Sequence, residues 1–172
     1  NYCGPASNSR GADLNRNFEF KWGCCGGSST NPCDDTYRGA APASEPETMA
    51  IQAYMRTIFP DQRGPLPSDP APADATGLYI DLHSYSELVL WPWGYTYSAA
   101  PNGTALQTLG RKFAWFNGYE PDQSVGLYPT DGSTDDFAYG DLGIAAYTFE
   151  LGTAFFQSCS VFEQTILPDN LP

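Results

Sequence analysis

The sequence predicts an α/β fold, and three observations carry that prediction. Segments whose apolar residues recur at helical spacing alternate along the chain with short runs apolar enough to be buried strands. The chain is 41% hydrophobic and 16% charged, the balance of a globular protein and not of a disordered one. Its 172 residues suit a single domain with a core of its own.

The elements follow in order. Residues 12–18, inside GADLNRNF, read as a short extended segment running into a loop. At a period of two, Asp13, Asn15 and Asn17 share one side, and Leu14 and Arg16 take the other. A solvated strand end fits this pattern, and so does a site where a guanidinium and a carboxamide meet an anion. A Gly- and Cys-rich loop covers 23–43. Ser44-Glu45-Pro46-Glu47 reads as a capping box with Pro in the first turn. Ile51, Tyr54, Met55 and Ile58 then give an amphipathic helix that ends before Pro60. Residues 61–76, rich in Pro and Asp, form an exposed loop. GLYIDLHS reads as a strand apolar enough to be central, and LVLWPWGY continues as an aromatic-rich extended segment. Leu106, Leu109, Phe113 and Phe116 mark a second helix over 103–117, with Gly118 as its stop. Ser133 to Tyr139 predicts a short capped helix. IAAYTFEL, 144–151, predicts a buried strand carrying Glu150 near its C-terminal end.

The formal net charge of −12 excludes a nucleic-acid partner, because nothing in the chain could neutralise a row of phosphates. No apolar run reaches membrane-spanning length. An acidic balance is compatible with cationic substrates and also keeps an exported protein soluble. Five cysteines, at 3, 24, 25, 33 and 159, point to a stapled loop in an oxidising compartment, with one thiol left over. A vicinal Cys24-Cys25 bridge is disfavoured on geometry, so Cys33 is expected to pair with Cys24 or Cys25. Cys3 would take the other, leaving Cys159. The chain opens in a polar stretch without an initiator Met and closes on LPDNLP, a lead-in to a helix. Both ends are expected to belong to a longer protein.

Two ionisable residues stand out. His83 is the only histidine and lies at the C-terminal end of a predicted strand, where ligands bind in open α/β sheets. Glu150 sits inside an apolar strand, a costly place for a carboxylate unless it is paired or metal-associated. Both would open onto one crevice.

Four stretches in order, GADLNRNF, YRGAAPASEPET, LYIDLHSYSELVLWPWGY and LYPTDGSTDDFAYGDLGIAAYTFELG, resemble consecutive blocks of the zinc metallocarboxypeptidases, the family of the pancreatic carboxypeptidases A and B. The blocks span roughly residues 11 to 152, and Tyr128 precedes Glu150 by the family's spacing of 22. The resemblance implies a mixed, mainly parallel sheet flanked by helices and incomplete at both ends, with residues 1–172 forming the C-terminal portion of one catalytic domain. It implies a secreted exopeptidase that removes single residues from peptide or protein C-termini with one zinc ion.

Carried over by position, His83 matches a zinc ligand and Glu150 the base that activates the zinc-bound water. Asn15 and Arg16 match the pair that holds the terminal carboxylate, and Tyr128 the mobile tyrosine that closes over it. Asp13 matches a carboxylate that orients another zinc-binding histidine. Ser84 and Tyr85 match a cis pair whose tyrosine borders the next subsite. Asp135 stands where the B-type enzymes place an aspartate at the floor of the side-chain pocket, which implies preference for Lys or Arg. It would also stabilise the first turn of a helix there. The chemistry agrees with these roles. Arg binds a free carboxylate bidentately, zinc activates water, and a glutamate moves the proton.

The chain departs from the family in lacking the upstream His-x-x-Glu ligands and a second histidine. The remaining ligands are expected upstream, on the missing N-terminal part of the same domain, and the chain alone is expected to bind zinc poorly. A non-catalytic module that binds peptide C-termini is the alternative. An aromatic-rich carbohydrate-binding domain would account for WPWGY but not for NRN, His83 or Glu150.

Overall fold

The computed structural model describes Cys3 and residues 11–171; Pro172 lies outside them. Four strands form one mixed sheet: β1 (Leu78–His83), β2 (Leu88–Trp91), β3 (Glu120–Gln123) and β4 (Ala145–Glu150), in the order β1-β4-β2-β3. β1 runs parallel to β4 and β2 parallel to β3, and the β2–β4 pair is antiparallel. The mixed, mainly parallel sheet implied by the sequence is therefore present.

β4 and β2 are the inner strands, and β4 is buried along nearly its whole length, because Ala146, Tyr147 and Phe149 meet the core on both faces. β1 was expected to be central and is not. It is the edge strand, and Leu78, Ile80 and Leu82 are exposed. Its apolar run reads the same whether or not another element covers it. WPWGY is no surface platform either. Trp91 and Trp93 are buried, and Trp93 packs against Phe20, Tyr95 and Tyr139, which removes the carbohydrate-binding alternative.

The helices α1 (Pro46–Ile58), α2 (Gly103–Asn117), α3 (Ser124–Leu127) and α4 (Thr134–Leu142) follow. α1 begins with Pro in its first turn, but Glu45 is its N-cap and no side chain caps it, so the capping box does not form. The Ser44 hydroxyl instead bonds the Glu45 carboxylate at 2.8 Å. Its predicted apolar stripe is also displaced. Ile51, Tyr54 and Ile58 face outward, and Thr48, Gln52 and Met55 face inward. Polar contacts set that rotation. The Gln52 side-chain oxygen accepts the Glu19 N–H at 2.9 Å, and Arg56 bridges Glu19 and Asp141 at 2.7 and 2.8 Å. α2 buries Leu106, Gly110 and Ala114 and ends at Gly118, whose φ of 75° supplies the left-handed stop; Phe116 is exposed. A C-terminal helical stretch comprises Cys159–Val161, Phe162–Ile166 and Leu167–Asn170.

The cysteine expectation is overturned. Cys3 bonds Cys33 and Cys24 bonds Cys25, with Cys159 free and exposed. The reason is tertiary. The N–H groups of Cys25 and Gly27 both bond the carboxylate of Asp131, which ties this turn to the start of α4. Cys33 sits in a separate turn closed by the Asn31 side chain.

Candidate active site

The segment 13–17 is not extended as predicted. Leu14–Arg16 form one turn of 3₁₀ helix, and the Asp13 carboxylate accepts the Asn15 N–H at 3.0 Å. Asx capping by Asp13 offers the backbone a local alternative to a strand, a competition that alternation of polar residues does not report. Asp13, Asn15 and Asn17 therefore do not share one side of a strand. Asn17 turns inward and is fully buried. Its amide donates to the carbonyls of Arg38 and Ala41 and accepts the Glu45 N–H. Asn15 stays at the cleft, with its Oδ1 accepting the Thr134 N–H at 2.8 Å.

Arg16 is almost completely buried. Its Nε–H donates to the Gly27 carbonyl at 3.2 Å, Nη1 to the Asn15 carbonyl at 2.6 Å, and Nη2 to the Tyr128 hydroxyl at 3.4 Å. The Tyr128 side chain is half exposed at the rim.

The parallel register of β1 and β4 sets His83 directly beside Glu150 at the strand ends. His83 Nδ1 lies 4.0 Å from Glu150 Oε1, and Nε2 lies 3.1 Å from Asp81 Oδ2. Asp81 is two residues earlier on the same face of β1 and also accepts the Thr134 hydroxyl. The hydrogen bond with Asp81 raises the His83 pKa, and the Asp81 and Glu150 charges add to it against the effect of burial. Burial pushes Asp81 up, but the bond and charge of His83 outweigh it, and Asp81 ends below its ordinary value. Glu150 is raised, chiefly by burial, with His83 opposing. Relative to their ordinary values, this strand end thus favours the charged forms of His83 and Asp81 and the neutral form of Glu150.

Asp135, buried in the first turn of α4, accepts the hydroxyls of Ser124 and Ser133, each at 2.7 Å. Asp136 beside it accepts the Gly94 N–H at 3.0 Å, and burial drives its pKa well above the ordinary carboxylate value. Tyr85 follows a cis bond from Ser84, as the resemblance implied, and packs edge-on against Phe155.

The residues given site roles from the sequence, Asp13, Asn15, Arg16, His83, Ser84, Tyr85, Tyr128, Asp135 and Glu150, line one cavity of about 370 Å³. Asp81, Ser124, Ser133 and Thr134 were missed. Only Asp81 left a signal, its place two residues before His83 on a strand. The rest act through hydrogen bonds across the fold.

The arrangement is an α/β sheet whose strand ends open onto a cleft with a buried guanidinium at one side and a histidine–carboxylate cluster at the other. A guanidinium so placed is chemically able to meet an anionic group that enters the cleft. The zinc carboxypeptidase family model matches residues 3–169. Carboxypeptidase B of Bos taurus is 37% identical over 154 residues, covering 84% of this chain and 33% of that protein. A zinc carboxypeptidase of Saccharothrix mutabilis subsp. capreolus is 39% identical over 158 residues, covering 86% and 33%. The structure of bovine thrombin-activatable fibrinolysis inhibitor in complex with tick carboxypeptidase inhibitor superposes with a TM-score of 0.77 at 27% identity, covering 97% of this chain and 56% of that one. The chain belongs to the zinc carboxypeptidase family. It spans about a third of the length of these curated relatives.

The residues present do not by themselves complete a zinc site. Among the described residues no group of three His, Cys, Asp or Glu side chains is placed to hold a metal ion. A catalytic zinc needs three protein ligands, and the cleft offers one imidazole with Glu150 4.0 Å from it. No chemical step is therefore assigned to a metal on this chain. No described helix is long and apolar enough to cross a membrane.

Proposed function

We propose that this chain supplies the substrate-recognition side and the proton-accepting glutamate of a secreted exopeptidase that removes single residues from peptide C-termini. The single observation that carries this reading is the convergence of Arg16, Asn15 and Tyr128 with Glu150 and His83 on one cleft. In this reading Arg16 and Asn15 receive the terminal carboxylate, because a planar guanidinium binds a carboxylate bidentately and internal peptide bonds lack one. Tyr128, at the rim, closes over it. Glu150, buried and raised in pKa, is suited to take a proton from attacking water and return it to the leaving amine. Tyr85 borders the neighbouring subsite. His83 is one zinc ligand, and the others are contributed from outside these residues, on the N-terminal part of the same domain. The Cys3–Cys33 and Cys24–Cys25 bridges support an oxidising, extracellular setting.

Asp135 at the floor of the cavity favours basic side chains. Three bonds from Ser124, Ser133 and its neighbour's N–H hold its carboxylate in place without supplying a positive charge. A Lys or Arg side chain would supply one.

The test is the chain joined to an upstream half carrying His-x-x-Glu. Release of C-terminal Lys or Arg at least as fast as Phe or Leu is expected, with Glu150→Gln slower by about 10²–10⁴-fold. Equal rates for Arg and Leu substrates before and after Asp135→Ile would remove Asp135 from the specificity assignment. The 172-residue chain alone is expected to be inactive and to bind zinc poorly, which chelator-sensitive release of a C-terminal residue would refute. Selective binding without hydrolysis by the joined protein would favour the non-catalytic module.

A further inference from the structure

We infer that Asp131 is a positioning residue for Arg16, acting through the loop of residues 25–28. The inference rests on the reading of Arg16 as the group that meets the terminal carboxylate. Because Arg16 is buried, its head group is aimed by the atoms it touches. Two of its three nitrogens bond backbone carbonyls, Nε that of Gly27 and Nη1 that of Asn15. A guanidinium is planar, so fixing those two fixes the plane and the direction of the remaining N–H groups.

Gly27 lies in a glycine-rich loop with no helix or sheet to hold it. Asp131 does the holding. Its side chain is fully buried and takes three donors from the loop: the Cys25 N–H at 3.1 Å, the Gly27 N–H at 3.0 Å, and the Ser28 hydroxyl. Both carboxylate oxygens can accept, which suits the side chain to such a cluster of donors. The approach is close enough that a Cβ on Gly27 would run into the Thr130–Asp131 backbone.

The same turn grips the Arg16 segment from its other side. The Gly132 carbonyl accepts the Phe18 N–H at 2.9 Å. Gly132 has φ 68°, and any Cβ there would press on the Arg16 carbonyl. The Thr134 N–H holds Asn15. Residues 131–134 are thus a common reference for the arginine's backbone and for the carbonyl that orients its side chain. Removing the Asp131 carboxylate releases the loop and lets the guanidinium tilt, although Asp131 itself is not among the residues lining the cavity.

The experiment uses the 172-residue chain, acetyl-lysine with its free α-carboxylate, and acetyl-lysinamide as the control. Affinity and hydrogen exchange of the Arg16 Nε–H are read together by NMR. Asp131→Ala is expected to weaken acetyl-lysine binding by about tenfold. It should also speed Nε–H exchange and leave the amide control unchanged. Asp131→Asn can accept the two backbone N–H groups and donate to the Ser28 oxygen, so it should retain affinity within about threefold.

A folded Ala variant with unchanged exchange and affinity overturns the proposal. So does an Asn variant as impaired as Ala, which would make the role one of charge. If the wild-type chain does not distinguish the two probes, the carboxylate reading fails instead, and the exchange of the Arg16 Nε–H alone decides whether Asp131 positions it. Should the Ala variant not fold, Ser28→Ala removes one donor and must shift exchange in the same direction by less. No shift there also overturns the proposal.

Discussion

The start of α4 and the exposed sides of β1 and of α1 invert the usual relation between residue type and burial. At the first, Ser133, Thr134, Asp135 and Asp136 are buried, and so is Asp131 just before them. On the second, Leu78, Ile80, Leu82, Ile51, Tyr54 and Ile58 are exposed. The difference is in hydrogen-bond supply. The α4 start is crossed by donors from loop 25–28, Ser124 and the Gly94 backbone, so its carboxylates are satisfied without water. These apolar side chains stay largely in water, so they contribute little however hydrophobic they are. Burial here follows what crosses an element, and the cleft is where most crosses.

That contrast can be broken or sharpened in order of expected effect. Phe137, at 0% exposure under the α4 start, should cost about 3–5 kcal/mol as Phe137→Ala. Urea unfolding measures it, and a loss below that of a surface residue would mean this region is not the anchored one. Asn17→Ala should follow at about 2–3 kcal/mol, because it strands the Ala41 carbonyl and the Glu45 N–H and leaves the Arg38 carbonyl with the Trp22 indole N–H as its donor. At the other extreme, Leu82→Ala, on a side chain 63% exposed, should change stability by less than about 0.5 kcal/mol. A large loss there would show that β1 is packed in solution.

Between these lies the pH response of the strand-end cluster. The lone histidine gives one resolvable imidazole titration, expected above the ordinary value of 6.5. Asp81→Asn should move its midpoint down, since the bond with Asp81 is the leading cause of the rise. A raised histidine contributes stability fully below 6.5, and that contribution disappears as pH rises through its folded pKa. Asp81, lowered from 3.8, contributes above that value and loses it as pH falls through its folded pKa. The pair therefore stabilises in mild acid. Glu150 works against it, since its raised pKa adds a penalty as pH climbs above 4.5. Thermal unfolding of wild type against Asp81→Asn should show their largest difference in mildly acidic buffer. An even difference from pH 4 to 9 would argue that the cluster is not ionised as described.

The sequence by itself determined the elements with a period of their own. β4 and α2 lie where apolar patterning and Gly118 put them, because a strand or helix imposes its repeat on the residues that form it; α4 starts where expected but runs past Tyr139 to Leu142 without a side-chain cap. It also determined which residue types could meet at the cleft, since strand-end placement brought His83 and Glu150 forward before any coordinates did. Only the tertiary structure decided which faces were covered, how the cysteines paired, and that Leu14–Arg16 would turn instead of extend. The Leu14–Arg16 turn follows from the local Asp13 cap, whereas coverage and the Cys3–Cys33 bridge depend on groups far away in sequence. Asp131 reaches Gly27 across 104 residues and Thr134 reaches Asn15 across 119. A local pattern records what a segment can do alone, and these contacts form only when the segments are brought together.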